Sequence, residues 1–228
     1  MSTLYNITNV LQRGTLRLFS DWKVTGVENV PPVGPLVIVS NHLSNFDPSL
    51  LSCSLPRRMN YLAKDGIFKA VTPLGRWYLR RYGAFPIDRG GADVAAFRWS
   101  LRQLQHDAAL VVFPEGTRSQ SAGMNPAKAG VVSLILRSGA PVLPVGITGT
   151  EHLGAFLRVV NPTGKIRVNI GQPFSLPSIE GRPPRELLES MTTDIMHRVC
   201  DLIPEEYHGY YSRERHTTGR PPSPQASP

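Results

Sequence analysis

Two short stretches of this chain combine side chains able to move protons and to hold anions. The first, Asn41-His42-Leu43-Ser44-Asn45-Phe46-Asp47-Pro48, directly follows the apolar run Leu36-Val37-Ile38-Val39. The second, Pro114-Glu115-Gly116-Thr117-Arg118-Ser119, follows the apolar run Ala109-Leu110-Val111-Val112-Phe113. Histidine ionises near neutral pH and is the usual base for taking a proton from a hydroxyl. A carboxylate on its other ring nitrogen fixes the tautomer and stabilises the imidazolium as it forms. Residues five apart on a regular helix point about 140° away from each other. His42 and Asp47 therefore meet only where a loop turns into a helix, and Pro48 favours such a turn. Asp47 equally suits a helix cap with no chemistry attached. In the second stretch, Glu115-Gly116 makes a turn that presents Thr117, Arg118 and Ser119. A guanidinium beside hydroxyls suits bidentate recognition of phosphate, and an ordinary surface turn would look the same.

The elements that position these groups alternate along the chain. Strands are expected at 36–40, 59–63, 84–88, 109–113, 141–147 and 165–171, and helices at 48–55, 67–82, 93–106, 127–138 and 184–203. This order predicts an α/β fold whose mixed, largely parallel sheet is flanked by helices. Sheets of this class bind ligands beyond the carboxyl ends of their strands, where His42 and Glu115 both fall. Residues 3–20 read as an amphipathic helix with Leu4, Ile7, Leu11 and Leu18 on one face and Arg13 and Arg17 off it. It is either a membrane-interface anchor or a helix packed on the core. The expected organisation is an N-terminal amphipathic helix over 1–22, one domain over 23–203, and a disordered tail over 204–228 rich in proline, serine and arginine.

Composition narrows the partners. Lys+Arg 25 against Asp+Glu 17 leaves a formal charge of +8 and a pI near 9.9, which suits an anionic partner. The two cysteines, Cys53 and Cys200, are far apart and lie in no ligand cluster, so neither a disulfide scaffold nor a zinc site is expected and a reducing compartment fits. No stretch is long and apolar enough to span a bilayer, and no secretory signal opens the chain. No nucleophile elbow, dinucleotide fingerprint or P-loop is present. If His42 is a base, the hydroxyl it activates belongs to the substrate. Between the two stretches, Arg57, Arg58, Lys69, Arg76, Arg80 and Arg81 are interleaved with Phe68, Trp77, Tyr78 and Tyr82. That mixture suits a membrane interface as well as a solvated basic face.

His42-x4-Asp47, followed by Phe113-Pro114-Glu115-Gly116-Thr117-Arg118-Ser119 with Glu115 73 residues after the histidine, resembles the glycerolipid acyltransferase family. Two weaker blocks keep the family order. Gly83-Ala84-Phe85-Pro86-Ile87-Asp88-Arg89 resembles the block whose arginine helps hold the acceptor phosphate, although Phe85-Pro86 departs from the usual isoleucine-phenylalanine. Val142-Leu143-Pro144-Val145-Gly146-Ile147 resembles the final apolar block. Lys64, ahead of Ile67-Phe68-Lys69, resembles a family lysine that reaches the phosphate. The resemblance covers roughly residues 20–175.

The best-known members of that family convert 1-acylglycerol 3-phosphate to phosphatidate. The resemblance therefore implies acyl transfer from an acyl-CoA or acyl-ACP thioester to a lysophospholipid hydroxyl, with no acyl-enzyme, no metal and no bound cofactor. It implies His42 as base and Asp47 as its orienter. Arg118, Arg89 and Lys64 would hold the phosphate, and Glu115, Gly116 and Thr117 would shape the turn or touch the acceptor. The implied place of work is the cytoplasmic, inner face of the cell membrane, bound peripherally and without a transmembrane span. Other acceptors in the same family remain open. A non-catalytic module binding anionic lipid or nucleic acid would account for the charge and the tail but not for the ordered blocks, so nucleic acid is not an expected partner.

Overall fold

The sheet is built where the sequence is most apolar. The computed structural model describes residues 3–88, 93–153 and 161–212. In it, β2 (Leu36–Ser40) is buried along its whole length, as is β6 (Val142–Thr148). Strands buried on both faces read as continuous hydrophobic runs rather than alternating ones. Around them lie β1 (Asp21–Thr25), β3 (Met59–Lys64), β4 (Ala84–Ile87), β5 (Ala109–Val112) and β7 (Lys165–Ile170). The seven strands run in the order β1-β7-β6-β2-β5-β3-β4. Every neighbouring pair is parallel except β6 with β7, which matches the mixed, largely parallel sheet expected from the sequence.

Successive side chains of β2 feed two cores. Leu36 and Ile38 pack towards α2 (Asp47–Ser54), with Phe46, Leu50 and Leu51, and towards α1 (Thr3–Phe19), with Tyr5 and Leu16. Val37 and Val39 pack on the opposite face, where α5 (Val94–Gln105), α6 (Gly130–Ser138) and α7 (Arg185–Cys200) contribute Leu104, Val132, Ile135 and Val199.

Several expectations need correction. The helix expected over 67–82 is two helices, α3 (Asp65–Ala70) and α4 (Pro73–Tyr82). Pro73 cannot donate the bond an uninterrupted helix needs, and Thr72 caps the new start by accepting from the Gly75 N–H at 3.2 Å. β1 was not anticipated, because it is an edge strand in which no residue is fully buried. The tail expected from 204 includes folded residues. Residues 205–207 and 209–211 form 3-10 turns, and Tyr211 is buried. The rest of that segment, 213–228, lies outside the described residues.

The basic, aromatic stretch also divides. Arg57 is spent on the carbonyls of Pro31, Gly34 and Asp107, and Tyr82 turns inward to donate to Asn9 Oδ1 at 2.7 Å. Trp77 and Leu74 of α4 stay exposed. In α1 the buried stripe is Tyr5, Asn9, Gln12 and Leu16, whereas Ile7, Val10, Leu11 and Leu18 face outward. Arg13 turns towards the domain and donates to the Cys53 carbonyl at 2.8 Å.

Candidate active site

Where β2 ends, side chains take over the work of its ladder. Asn41 is fully buried; its amide donates to the Ile147 carbonyl and accepts from the Ile147 N–H, each at 2.8 Å. This holds β2 beside β6 while the backbone turns away. His42 is then fastened to the turn after β5. Its N–H donates to Glu115 Oε1 at 2.9 Å, and its carbonyl accepts from the Ser119 N–H at 2.8 Å. The two stretches that carry the chemistry in the sequence are therefore bonded to each other at the C-terminal edge of the sheet.

The His42 ring meets Asp47 as the spacing requires. Nδ1 lies 2.8 Å from Asp47 Oδ2. The same oxygen accepts from the Leu43 N–H at 2.7 Å and the Ser44 N–H at 2.8 Å, and Thr150 Oγ1 donates to Oδ1 at 2.7 Å. An ionised carboxylate only accepts, so Nδ1 carries the proton that faces it, and in the neutral imidazole this leaves the lone pair on Nε2. Nε2 has no partner among the described residues. The helix-cap alternative for Asp47 does not hold. The N-cap of α2 is Phe46, and the Asp47 carboxylate reaches back to the loop before it. Phe113 backs the imidazole, its ring centroid 4.1 Å away and nearly parallel.

Glu115 is buried and both of its oxygens are engaged, Oε1 with His42 and Oε2 with the Asn125 N–H at 2.7 Å. Of the two roles open to it, this geometry is that of a turn-shaping group. Burial pushes its carboxyl up from 4.5 to about 7, against the lowering effect of the two backbone N–H groups, and the charge of Asp47 adds to the rise. The folded chain thus holds more protons than the unfolded chain between about pH 4.5 and 7. The stability this group contributes is full below that window and is lost as the pH rises through it. The stability difference between wild type and Glu115→Gln, measured by denaturant unfolding, should accordingly narrow from pH 5 to pH 8. A flat or widening difference would mean that the hydrogen bonds hold the group ionised.

Gly116, Thr117, Arg118 and Lys64 lie along the same edge. Gly116 takes φ +70°, and Thr117 and Arg118 are exposed. Arg118 makes no hydrogen bond or ion pair with a described residue. Lys64 is exposed at the end of β3, opposite Ile87 in the register with β4. Arg89 lies outside the described residues. A cavity of about 330 Å³ opens beside Gly116 and runs between the sheet, α5 and α6. Leu62, Val94, Phe97, Val131 and Leu134 line it, and so does the Phe113 that backs His42. Among the described residues no cluster of His, Cys, Asp or Glu could hold a metal ion, and no helix is long and apolar enough to cross a membrane.

Sequence reasoning missed Asn41, Thr150 and Asn125. Thr150 lies 103 residues from the carboxylate it touches, and Asn125 acts through its backbone, so neither leaves a local signal.

A family model described as Acyltransferase matches residues 21–148. A 1-acyl-sn-glycerol-3-phosphate acyltransferase of Bacillus subtilis is 27% identical over 184 residues, covering 79% of this chain and 87% of that protein. A chloroplastic protein of the same name from Brassica napus is 33% identical over 133 residues, 57% of this chain; the matched part is only 38% of the plant protein's length. The crystal structure of the 1-acyl-sn-glycerophosphate (LPA) acyltransferase PlsC from Thermotoga maritima superposes with a TM-score of 0.67 at 30% identity, covering 87% of this chain and 79% of that one.

Proposed function

This chain belongs to the acyltransferase family, and from that premise we propose that it moves a fatty acyl group from an acyl thioester to the free sn-2 hydroxyl of 1-acylglycerol 3-phosphate, giving phosphatidate. The observation that carries the reading is the His42 imidazole. Its Nδ1 proton is tied to a buried carboxylate, its Nε2 has no hydrogen-bond partner among the described residues, and the Phe113 ring stacked on it lines the apolar cavity beside Gly116.

The steps follow from that arrangement. Nε2 takes the proton of the acceptor hydroxyl as its oxygen attacks the thioester carbonyl, and Asp47 stabilises the imidazolium. The tetrahedral intermediate collapses, the carbon–sulfur bond breaks, and the proton on Nε2 passes to the leaving thiolate. No acyl-enzyme intervenes: among the described residues no serine, threonine or cysteine is bonded to His42 Nε2 to serve as a nucleophile. Arg118 holds the acceptor phosphate, with Lys64 at the neighbouring end of β3, and Arg89 is proposed to join them from the sequence resemblance alone. Fixing the hydroxyl in this way is worth up to roughly 7–11 kcal/mol of barrier. The apolar cavity receives a fatty chain, which Phe113 would hold next to His42. The carrier of the acyl group is coenzyme A or acyl carrier protein.

The reading places the protein on a lipid surface. α1 turns Ile7, Val10, Leu11 and Leu18 outward, and α4, tied to it by a 3.4 Å bond between Tyr78 Oη and Thr8 Oγ1, adds Leu74 and Trp77. Such a stripe suits the boundary between headgroups and acyl chains. Wild type should sediment with anionic phospholipid vesicles and Leu11→Asp/Trp77→Asp should stay largely in solution. Equal sedimentation would remove this surface from the reading.

The reaction itself is tested with purified protein by crossing lysophosphatidate, other lysophospholipids and glycerol 3-phosphate with acyl-CoA and acyl-ACP. Phosphatidate formed from lysophosphatidate at the highest kcat/KM is the expected result. A clear preference for another acceptor would replace the proposed substrate.

A further inference from the structure

Lys128 stands over the Glu115-Gly116-Thr117-Arg118 turn, in a stretch that supplied no candidate from the sequence. Its backbone N–H donates to the Pro114 carbonyl at 2.9 Å, three residues after the Asn125 N–H reaches Glu115 Oε2. The segment 125–128 is thus fastened along the turn at two points. The side chain then lies across Gly116. A Cβ built there would come within 3.2 Å of Lys128 Cε and 3.4 Å of its Nζ. The absence of a side chain at Gly116 makes room for the lysine stem as well as permitting the positive φ.

The ammonium is exposed and makes no hydrogen bond or ion pair with any described residue. Arg118, two residues beyond Gly116, is in the same condition. The carboxylate of this turn, Glu115, is buried with both oxygens occupied and neutralises neither cation. Lys128 crosses the turn at Gly116 and Arg118 follows two residues on, so two cations without a carboxylate partner among the described residues belong to one turn, a setting that suits a doubly charged anion. Lys128 and Gly116 also line the apolar cavity, so the cation stands where a charged headgroup would give way to a fatty chain.

We infer that Lys128 is a further phosphate-binding residue, holding the acceptor phosphate together with Arg118 across the bare Cα of Gly116. This rests on the acyl-transfer reading above for the identity of the acceptor, but not for the presence of an anion site.

The test compares full-length wild type with Lys128→Ala and Lys128→Arg. Steady-state rates are measured with lysophosphatidate and with a monoacylglycerol of the same chain, which lacks the phosphate. In Lys128→Ala the preference for lysophosphatidate should fall roughly tenfold or more, through a raised KM for that acceptor, and Lys128→Arg should recover most of it. An unchanged preference would overturn the proposal. So would a rise confined to the KM of the acyl donor, which would assign Lys128 to the donor's phosphates.

A second arm needs no turnover: thermal unfolding with and without glycerol 3-phosphate at constant ionic strength. Wild type should be stabilised and Lys128→Ala should not, and equal stabilisation of the two would overturn the proposal. If wild type acylates no phosphorylated acceptor but this arm still separates the proteins, the reaction has been misread and the anion site stands.

Discussion

Replacing His42 by alanine will lower kcat by about 10²–10⁴-fold, the usual share of a positioned general base, and will leave the fold in place. Among the described residues at this edge, the imidazole has a ring nitrogen, Nε2, left without a hydrogen-bond partner. Its Nδ1 is committed to Asp47, and its ring is fixed against Phe113. The backbone of residue 42 keeps its bonds to Glu115 and Ser119 whatever the side chain, so the two stretches stay joined. Circular dichroism and vesicle sedimentation of His42→Ala should match wild type while phosphatidate formation is lost. Turnover near that of wild type would remove His42 from the chemistry.

Asp47 offers a sharper prediction, because two substitutions should separate its charge from its geometry. Asp47→Ala will cost activity on the scale of His42→Ala, about 10²–10⁴-fold, and will also destabilise the protein. It leaves the buried N–H groups of Leu43 and Ser44 without an acceptor, at about 1–3 kcal/mol each. Asp47→Asn should be milder. Three N–H donors converge on Oδ2, so an asparagine must put its carbonyl oxygen there and its amide nitrogen towards Thr150. A hydroxyl can switch from donor to acceptor, and Thr150 can therefore accommodate the amide. The His42 tautomer survives and only the charge is lost, a cost of roughly ten- to a hundredfold, in line with 1.5–3 kcal/mol for a hydrogen bond to a charged group. Adding Thr150→Val removes the accommodating hydroxyl, and the double variant should fall to the level of Asp47→Ala. Equal activity in the Asn and Ala variants would show that the charge, not the geometry, is what matters.

The sequence made the pairing of His42 with Asp47 visible but not how it is achieved. Spacing indicated a loop between strand and helix, and the structure has one. What spacing could not give is the direction of the Asp47 carboxylate. Two backbone N–H groups in the loop before it outcompete those of the helix after it, and that depends on the path of the turn. The apolar runs of β2, β5 and β6 were legible because strands buried on both faces need no alternation. β1 was not: Asp21-Trp22-Lys23-Val24-Thr25 carries charge and is recognised as a strand through its pairing with Lys165–Asn169, 144 residues away along the chain. Residues 205–212 are folded, against the expectation from composition, for a related reason. Prolines and arginines dominate the segment after 204, yet the Tyr211 phenol accepts from the Ala127 N–H at 2.8 Å and the Tyr207 carbonyl accepts from the Met124 N–H at 2.9 Å. Two tyrosines outweigh the average.

The strand order carries a consequence for how the protein reaches its working state. His42 meets Glu115 only when β2 and β5 close a loop of 73 residues, and Asp47 meets Thr150 only after a loop of 103. Non-local parallel pairings of this kind form late, because their loop-closure entropy must be met before any contact rewards it. Helical signal should therefore return early when the denatured chain is diluted into buffer, and activity should return last. A nascent or damaged chain that is only partly assembled would then have its amphipathic α1 formed, with Ile7, Val10, Leu11 and Leu18 outward, before His42 is joined to Glu115.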